Sequence, residues 1–423
     1  MALPFFLRGW WVLSGLLLVW GLPAHAQTDT LRQQPDATPT PLRAAATSDD
    51  DRRDLGDVIQ YFFPRLRPAP RDTTAALTLE SGHRFVSVIP VVSYTLQTRG
   101  LLQVAGNVAY QQPGANISTV VAALAVTQNK QVILTATSSI WTPGNRINWI
   151  GDWRLMHYPQ NTYGLGTHTS TNREVVNMEF DYLRIYQTML RRILPDFYGG
   201  LGYQLDYHWG IVSTAAGQEV QRISGYERGV TGSSVSSGVA LNLLYDTRGN
   251  AINPQPGAYV NLLYRPNLKL LGSSTTYQTL LLEARRYLRL REGSGNILAL
   301  WSYNVVTLQG TPPYLDLPST GWDTYGNTGR GFIQGRFRGK DMLYAEAEYR
   351  FRITRNRLLG GVVFSNAQTV SETDTNHFDR VVPALGLGVR VAMNKLSRTN
   401  LAIDYGFGFD GSRALTFNVG EVF

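Results

Sequence analysis

Residues 343–353 read Leu-Tyr-Ala-Glu-Ala-Glu-Tyr-Arg-Phe-Arg-Ile, and their alternation decides the fold. Leu343, Ala345, Ala347, Tyr349, Phe351 and Ile353 fall on one face, and Tyr344, Glu346, Glu348, Arg350 and Arg352 on the other. Successive side chains of a strand point to opposite sides, so this is a strand with one apolar and one charged face. The charged face belongs to water in a sandwich or to a polar lumen in a barrel. Just upstream, Gly329-Arg330-Gly331-Phe332 lies in a stretch too rich in Gly, Pro, Thr and Asp to be regular structure.

Working outward, the rest of the chain favours the barrel. From Phe85 on, it divides into about 16 strand-like segments, each long enough for a tilted membrane strand. Their expected starts are Phe85, Leu101, Asn116, Lys130, Arg146, Arg173, Tyr198, Ser234, Gly257, Thr275, Gly295, Asp341, Leu358, Arg380, Asn400 and Arg413. In the second half, short connections (249–256, 354–357) alternate with long ones (210–232, 309–340, 366–378). Short turns at one end and long loops at the other mark an outer-membrane barrel, and closure removes the exposed edges of an open sheet.

Both ends of the chain agree. Arg8, the apolar run Trp10–Leu22 and the small-x-small Ala24-His25-Ala26 read as a cleaved secretory signal over residues 1–26. That run is too short for a spanning helix, which takes about 20 residues. Residues 27–80 are rich in Pro, Thr, Asp and Arg and read as a disordered periplasmic linker. Its one amphipathic island, Asp57-Val58-Ile59-Gln60-Tyr61-Phe62-Phe63, is expected to form one or two helical turns. The barrel is expected over 81–423. At the other end, Leu415, Phe417, Val419 and Phe423 share a face of a last strand, with Gly420 between them. Glu421 interrupts that face where the membrane meets water and a charge costs little. Pro90, inside the first segment, cannot donate to a ladder. It marks a weak seam between first and last strands or a local bulge.

Composition bounds the chemistry. Aromatics reach 11%, with 9 Trp and 22 Tyr, which suits strands that are apolar at alternate positions only. Cys is absent, removing disulfides, thiolate metal sites and Cys nucleophiles. The net charge of +8 is scattered rather than clustered, which speaks against nucleic acid and fits a basic lumen or anionic lipid headgroups. None of the 6 His has metal-ligand spacing or accompanies a nucleophile elbow. His208 follows Gln204 and Asp206 on a lumenal polar stripe. Asp49-Asp50-Asp51 reads as a solvated linker run. Residues 329–339 lack the Lys-Ser/Thr ending of a phosphate loop. No catalytic set, metal or cofactor is expected.

Several motifs in order resemble the Omp85 family of outer-membrane barrels (bacterial surface antigen D15, the BamA/TamA family). Asp246-Thr247-Arg248-Gly249-Asn250, with Pro254 and Gly257-Ala258-Tyr259, is similar to the family's periplasmic hairpin motif. Arg330-Gly331-Phe332 is similar to the motif of its long sixth extracellular loop, Glu348-Tyr349-Arg350 to the next strand, and Phe417-Asn418-Val419-Gly420 to Phe423 to the closing strand. The resemblance covers residues 80–423 and implies an all-β barrel of about 16 antiparallel strands. It also implies that the loop folds into the lumen and that Arg330 pairs with acids on the following strands, Glu348 first. Asn366 stands where the family tends to carry an Asp, which departs from a fully ionic lock. Residues 27–80 do not accommodate the family's POTRA domains, so a barrel-only member is expected.

The resemblance implies a protein of the Gram-negative outer membrane, surrounded by its lipid. It is expected to assist insertion, assembly or translocation of client outer-membrane proteins with separate periplasmic or lipoprotein partners. A passive pore or a structural surface antigen is the alternative.

Overall fold

Alternating segments like 343–353 cannot bury their apolar faces singly, and side by side they build a wall with an oily outside and a polar inside. The computed structural model describes residues 52–62, 84–169, 175–213, 218–248, 253–254, 256–291, 295–394 and 398–423. The expected leader and most of the linker lie outside these residues.

Seventeen strands form among the described residues. They are β1 (Phe85–Thr95), β2 (Arg99–Gln111), β3 (Ile117–Thr127), β4 (Val132–Trp141), β5 (Ile147–His157), β6 (Gln160–Thr162), β7 (Val176–Leu194), β8 (Phe197–Ser213), β9 (Gly232–Asp246), β10 (Gly257–Asn267), β11 (Tyr277–Arg289), β12 (Ile297–Gly310), β13 (Met342–Arg352), β14 (Leu359–Val370), β15 (Val382–Asn394), β16 (Thr399–Gly408) and β17 (Arg413–Val419). The short β6 continues β5 past Tyr158-Pro159, and both pair with β7, so the wall has sixteen staves. Each of the sixteen staves starts within three residues of the position read from the sequence. Each stave pairs antiparallel with the next, from β1–β2 round to β16–β17. The result is a nearly closed antiparallel barrel.

The faces divide as the period of two requires. On β15, Leu385 and Leu387 point outward, 62% and 59% exposed, while Ala384 and Arg390 are buried inside. On β13, Tyr344, Glu346, Glu348 and Arg350 are buried in the lumen, and Ile353, just past its end, is exposed. One rim carries the long loop 311–341, and the other the tight turns 195–196 and 353–358. A helix α1 (Leu55–Phe62) precedes the barrel at the tight-turn rim, where Arg53 N donates to Asn356 O at 3.1 Å. Its start is capped reciprocally: Asp57 N donates to Asp54 Oδ1 and Asp54 N to Asp57 Oδ2, both at 3.0 Å. A second helix, α2 (Gln218–Ser224), lies in the loop between β8 and β9.

The last four residues depart from the expected register. Gly420 takes φ +97°, ends β17 and breaks the alternation, so the residues after it turn into the lumen. Phe423 does not share the outer face with Leu415 and Phe417. It is 2% exposed and stacks on Trp301, ring centroids 5.1 Å apart. Nor does Glu421 sit at the membrane boundary, because its carboxylate meets Arg390 Nε at 2.8 Å inside the barrel.

Candidate functional site

The loop between β12 and β13, residues 311–341, descends into the lumen instead of arching away from it. Its backbone can do so because Gly329 and Gly331 adopt φ +77° and +107°, where a side chain is strained. Those two turns present Arg330 to the wall. Arg330 is 3% exposed, and its guanidinium forms ion pairs with Glu346 and Glu348 of β13 and with Asp404 of β16, the last at 2.8 Å. The plane of the guanidinium lies over the Phe364 ring of β14, 3.7 Å from its centroid. Arginine suits this place because its planar fork reaches acids on two strands at once.

Asn366 also meets Arg330, though not as a missing acid. Its Nδ2 donates to the Arg330 backbone oxygen at 2.9 Å. Glu346 and Asp404, absent from the motif reading, supply the further carboxylates. Asp404 is 74 residues from Arg330 in sequence, and no local pattern announces it.

Arg330 belongs to a larger charged set. Arg350 Nε meets Glu348 at 2.6 Å, and Arg390 meets Asp404 at 2.6 Å and Glu421 at 2.8 Å. Three arginines thus alternate with four carboxylates across β13, β15, β16 and the tail. In a water-poor interior such groups are stable only when mutually paired.

Close backbone approach fixes the loop beside this set. A Cβ on Gly406 of β16 would lie 2.6 Å from the Gly331 backbone, and one on Gly408 would lie 2.5 Å from the Phe332 ring. Glycine on both sides lets the Arg330-Gly331-Phe332 turn lie flat on β16. Phe332 is buried and packs edge-on against Phe337, centroids 5.3 Å apart. Asn327 Nδ2 donates to Val422 O at 2.7 Å, tying loop to tail.

A second polar cluster occupies the opposite wall. Asp206 of β8 accepts from Arg265 at 2.7 Å, Arg184 at 3.2 Å, Tyr182 at 2.5 Å and Tyr186 at 2.6 Å. His208 stacks on Tyr182 at 4.3 Å and faces Asp316 of the loop at 3.6 Å. Burial, then the nearby Asp206 charge, pushes the Asp316 carboxyl up to about 7, although Ser236 donates to it at 2.5 Å. Arg338 of the loop is fully buried, donates to the Tyr314 carbonyl at 2.9 Å and has its pKa lowered by burial. Between loop and wall lies a cavity of about 280 Å³.

The remaining sequence motifs sit elsewhere. Arg248 grips Asp246 through two bonds of 2.9 and 2.8 Å and stacks over Tyr259 at 4.3 Å. A Cβ on Gly257 would press to 2.9 Å of the Thr247 oxygen. These contacts build the β9–β10 hairpin at the tight-turn rim, and Asn250 lies outside the described residues. Pro90 pairs with Val104 of β2, so its strand is laddered on one side. Among the described residues no ladder joins β1 to β17, although the two strands lie side by side. Phe417 pairs with Ile403 of β16.

Comparison with known proteins follows the architecture. The family model described as the Omp85 superfamily domain matches residues 114–423. No curated protein matches. Among solved structures, the chain is similar to BamA from Haemophilus ducreyi lacking POTRA domains 1–3, at TM-score 0.52 and 14% identity, covering 80% of this chain and 70% of that one. It is similar to CdiB from Acinetobacter baumannii at TM-score 0.50 and 11% identity, covering 82% and 66%. CdiB from Escherichia coli gives TM-score 0.50 and 9% identity, covering 85% and 73%. At these identities the likeness speaks to the fold.

Proposed function

We propose, since this chain belongs to the Omp85 superfamily, that it assists insertion or translocation of client proteins at the outer membrane through the seam between β1 and β17. One observation carries the reading: every other pair of neighbouring staves is laddered, and this pair alone among the described residues is not. Unpaired edge groups are a template for an incoming strand. A short last strand and a proline in the first both lower the cost of opening there.

In this reading the Arg330 set is a lock, not a catalyst. It holds the loop in the lumen, so the barrel stays plugged while the seam works. Clients are other outer-membrane barrels, and separate periplasmic or lipoprotein partners deliver them. The surrounding lipid is the second partner, perturbed where the seam thins the wall.

The buried loop disfavours a passive pore. Leu317, Thr320, Arg330, Phe337 and Arg338 are each no more than 3% exposed and lie across the lumen. Depletion of the protein tests the reading: outer-membrane barrels should fall as a class while periplasmic proteins hold. An unchanged set of barrels would overturn it.

A further inference from the structure

The tight-turn mouth of the barrel contains a cleft of about 170 Å³ that borders the Arg330 set and opens away from the loop. Its charge is one-sided. Arg350, Arg352 and Arg390 reach it from the wall, Arg357 from the β13–β14 turn, Arg398 from the β15–β16 turn, and Arg52 and Arg53 from the segment before α1. Glu421 is the carboxylate that lines the cleft, and Glu348 and Asp404 behind it pair with Arg350 and Arg390. Arginines outnumber acids in the lining, and a cleft with low-dielectric walls concentrates the positive potential of such a gathering.

A second observation points to a ligand. Arg350 is 8% exposed, and its Nε and Nη2 are engaged by Glu348 and the Phe423 oxygen. Its Nη1 is buried and has no partner in the protein. A buried guanidinium nitrogen without an acceptor is costly, and an anion in the cleft would satisfy it. The volume is below that of a pocket for a drug-sized molecule and suits a small, highly charged group. Arginine forks match phosphate oxygens bidentately.

The geometry points to a phosphate-binding site at this mouth, filled by a phospholipid headgroup or by a free phosphate compound. The setting favours the headgroup. Helix α1 begins beside the cleft and presents Tyr61 and Phe62, 79% and 68% exposed, after two arginines. Apolar side chains next to basic ones are how a helix rests on an anionic lipid surface.

The site is tested on the purified full chain in detergent, by calorimetric titration at constant ionic strength. One arm uses inorganic pyrophosphate, and the other dihexanoyl phosphatidic acid below its micelle concentration. Saturable binding of either supports the site: lipid alone identifies a headgroup, and both together show that phosphate suffices. The variant R53Q/R357N/R398N removes three charges. Arg357 and Arg398 hold φ +58° and +60°, a conformation asparagine tolerates, so the turns should survive. Affinity should fall about tenfold or more, with heat-modifiable gel mobility unchanged. If that variant loses folded mobility, R53Q alone, outside the barrel wall, carries the test with a drop of about threefold. Absence of binding by both probes, or equal affinity in the folded variant, overturns the proposal. The assay reads binding only, so its outcome is independent of the assembly function.

Discussion

Arg330 meets three carboxylates on two strands, and the proposed lock rests on those pairs. Removing it leaves Glu346 buried without a cation, and leaves Glu348 and Asp404 to Arg350 and Arg390 alone. Breaking a buried pair by removing one partner costs about 3–5 kcal/mol. Arg330→Ala should therefore lower the unfolding midpoint in urea, read by heat-modifiable gel mobility, and open residues 311–341 to trypsin at Arg336 and Arg338. Both arginines are buried in the native loop, at 4% and 1% exposure. Arg330→Lys keeps the charge but offers one point of contact in place of a fork, so an intermediate loss is expected. A midpoint and cleavage pattern equal to wild type would dismiss the lock. Gly406→Ala separates shape from charge. Its methyl would meet the Gly331 backbone at 2.6 Å, so it should lift the loop at a cost of about 1–3 kcal/mol while every ion remains present.

At the scale of elements, the loop has a second anchor whose strength depends on pH. Asp316 is buried against Ser236 and His208, near the charges of Asp206, Arg184 and Arg265. Its folded pKa of about 7 lies above that of an unfolded aspartate, about 3.9. A carboxyl raised in this way is docked best as the neutral acid. Its contribution is fully present below about pH 4 and is lost as pH rises through about 7. Tryptic cleavage of the loop should accordingly speed up between about pH 6 and 8 beyond the protease's own profile. Asp316→Asn should flatten that rise. An identical rise in both proteins would remove Asp316 as the cause.

The elements were also the most legible level of the sequence. Residues 343–353 alternate without exception, and a period of two fixes which side chains enter the lumen before any contact is known. Strand starts followed for the same reason. The partners of Arg330 were legible only in part. Glu348 lies on the next strand, while Asp404 arrives through the curvature of the whole wall. Gly406 and Gly408 look like ordinary strand glycines until the loop is laid on them. The tail was misread because alternation from Leu415 to Val419 was extended past Gly420, whose positive φ reverses it.

At the scale of the molecule, sixteen staves among the described residues enclose a lumen filled by the loop and leave one junction unladdered. The plug sets an expectation for planar bilayers: wild type should conduct little, and Arg330→Ala should conduct more as the loop loosens. A large, steady conductance from wild type would favour a passive pore. The junction sets a sharper one. The chain has 0 Cys, so introduced pairs can be read without background. With one Cys at Val92 of β1 and a second scanned along residues 413–419 of β17, some pair should come within the 4.4–6.8 Å Cα separation, typically about 5.5–6 Å, that a disulfide spans. Oxidation would then staple a seam that nothing else ladders. If clients enter there, the stapled barrel should remain folded and heat-modifiable, yet fail to restore outer-membrane barrels after depletion of the native protein, and reductant should return the activity. Full rescue by the stapled form would separate the missing ladder from function, because a seam that never opens cannot template a client strand.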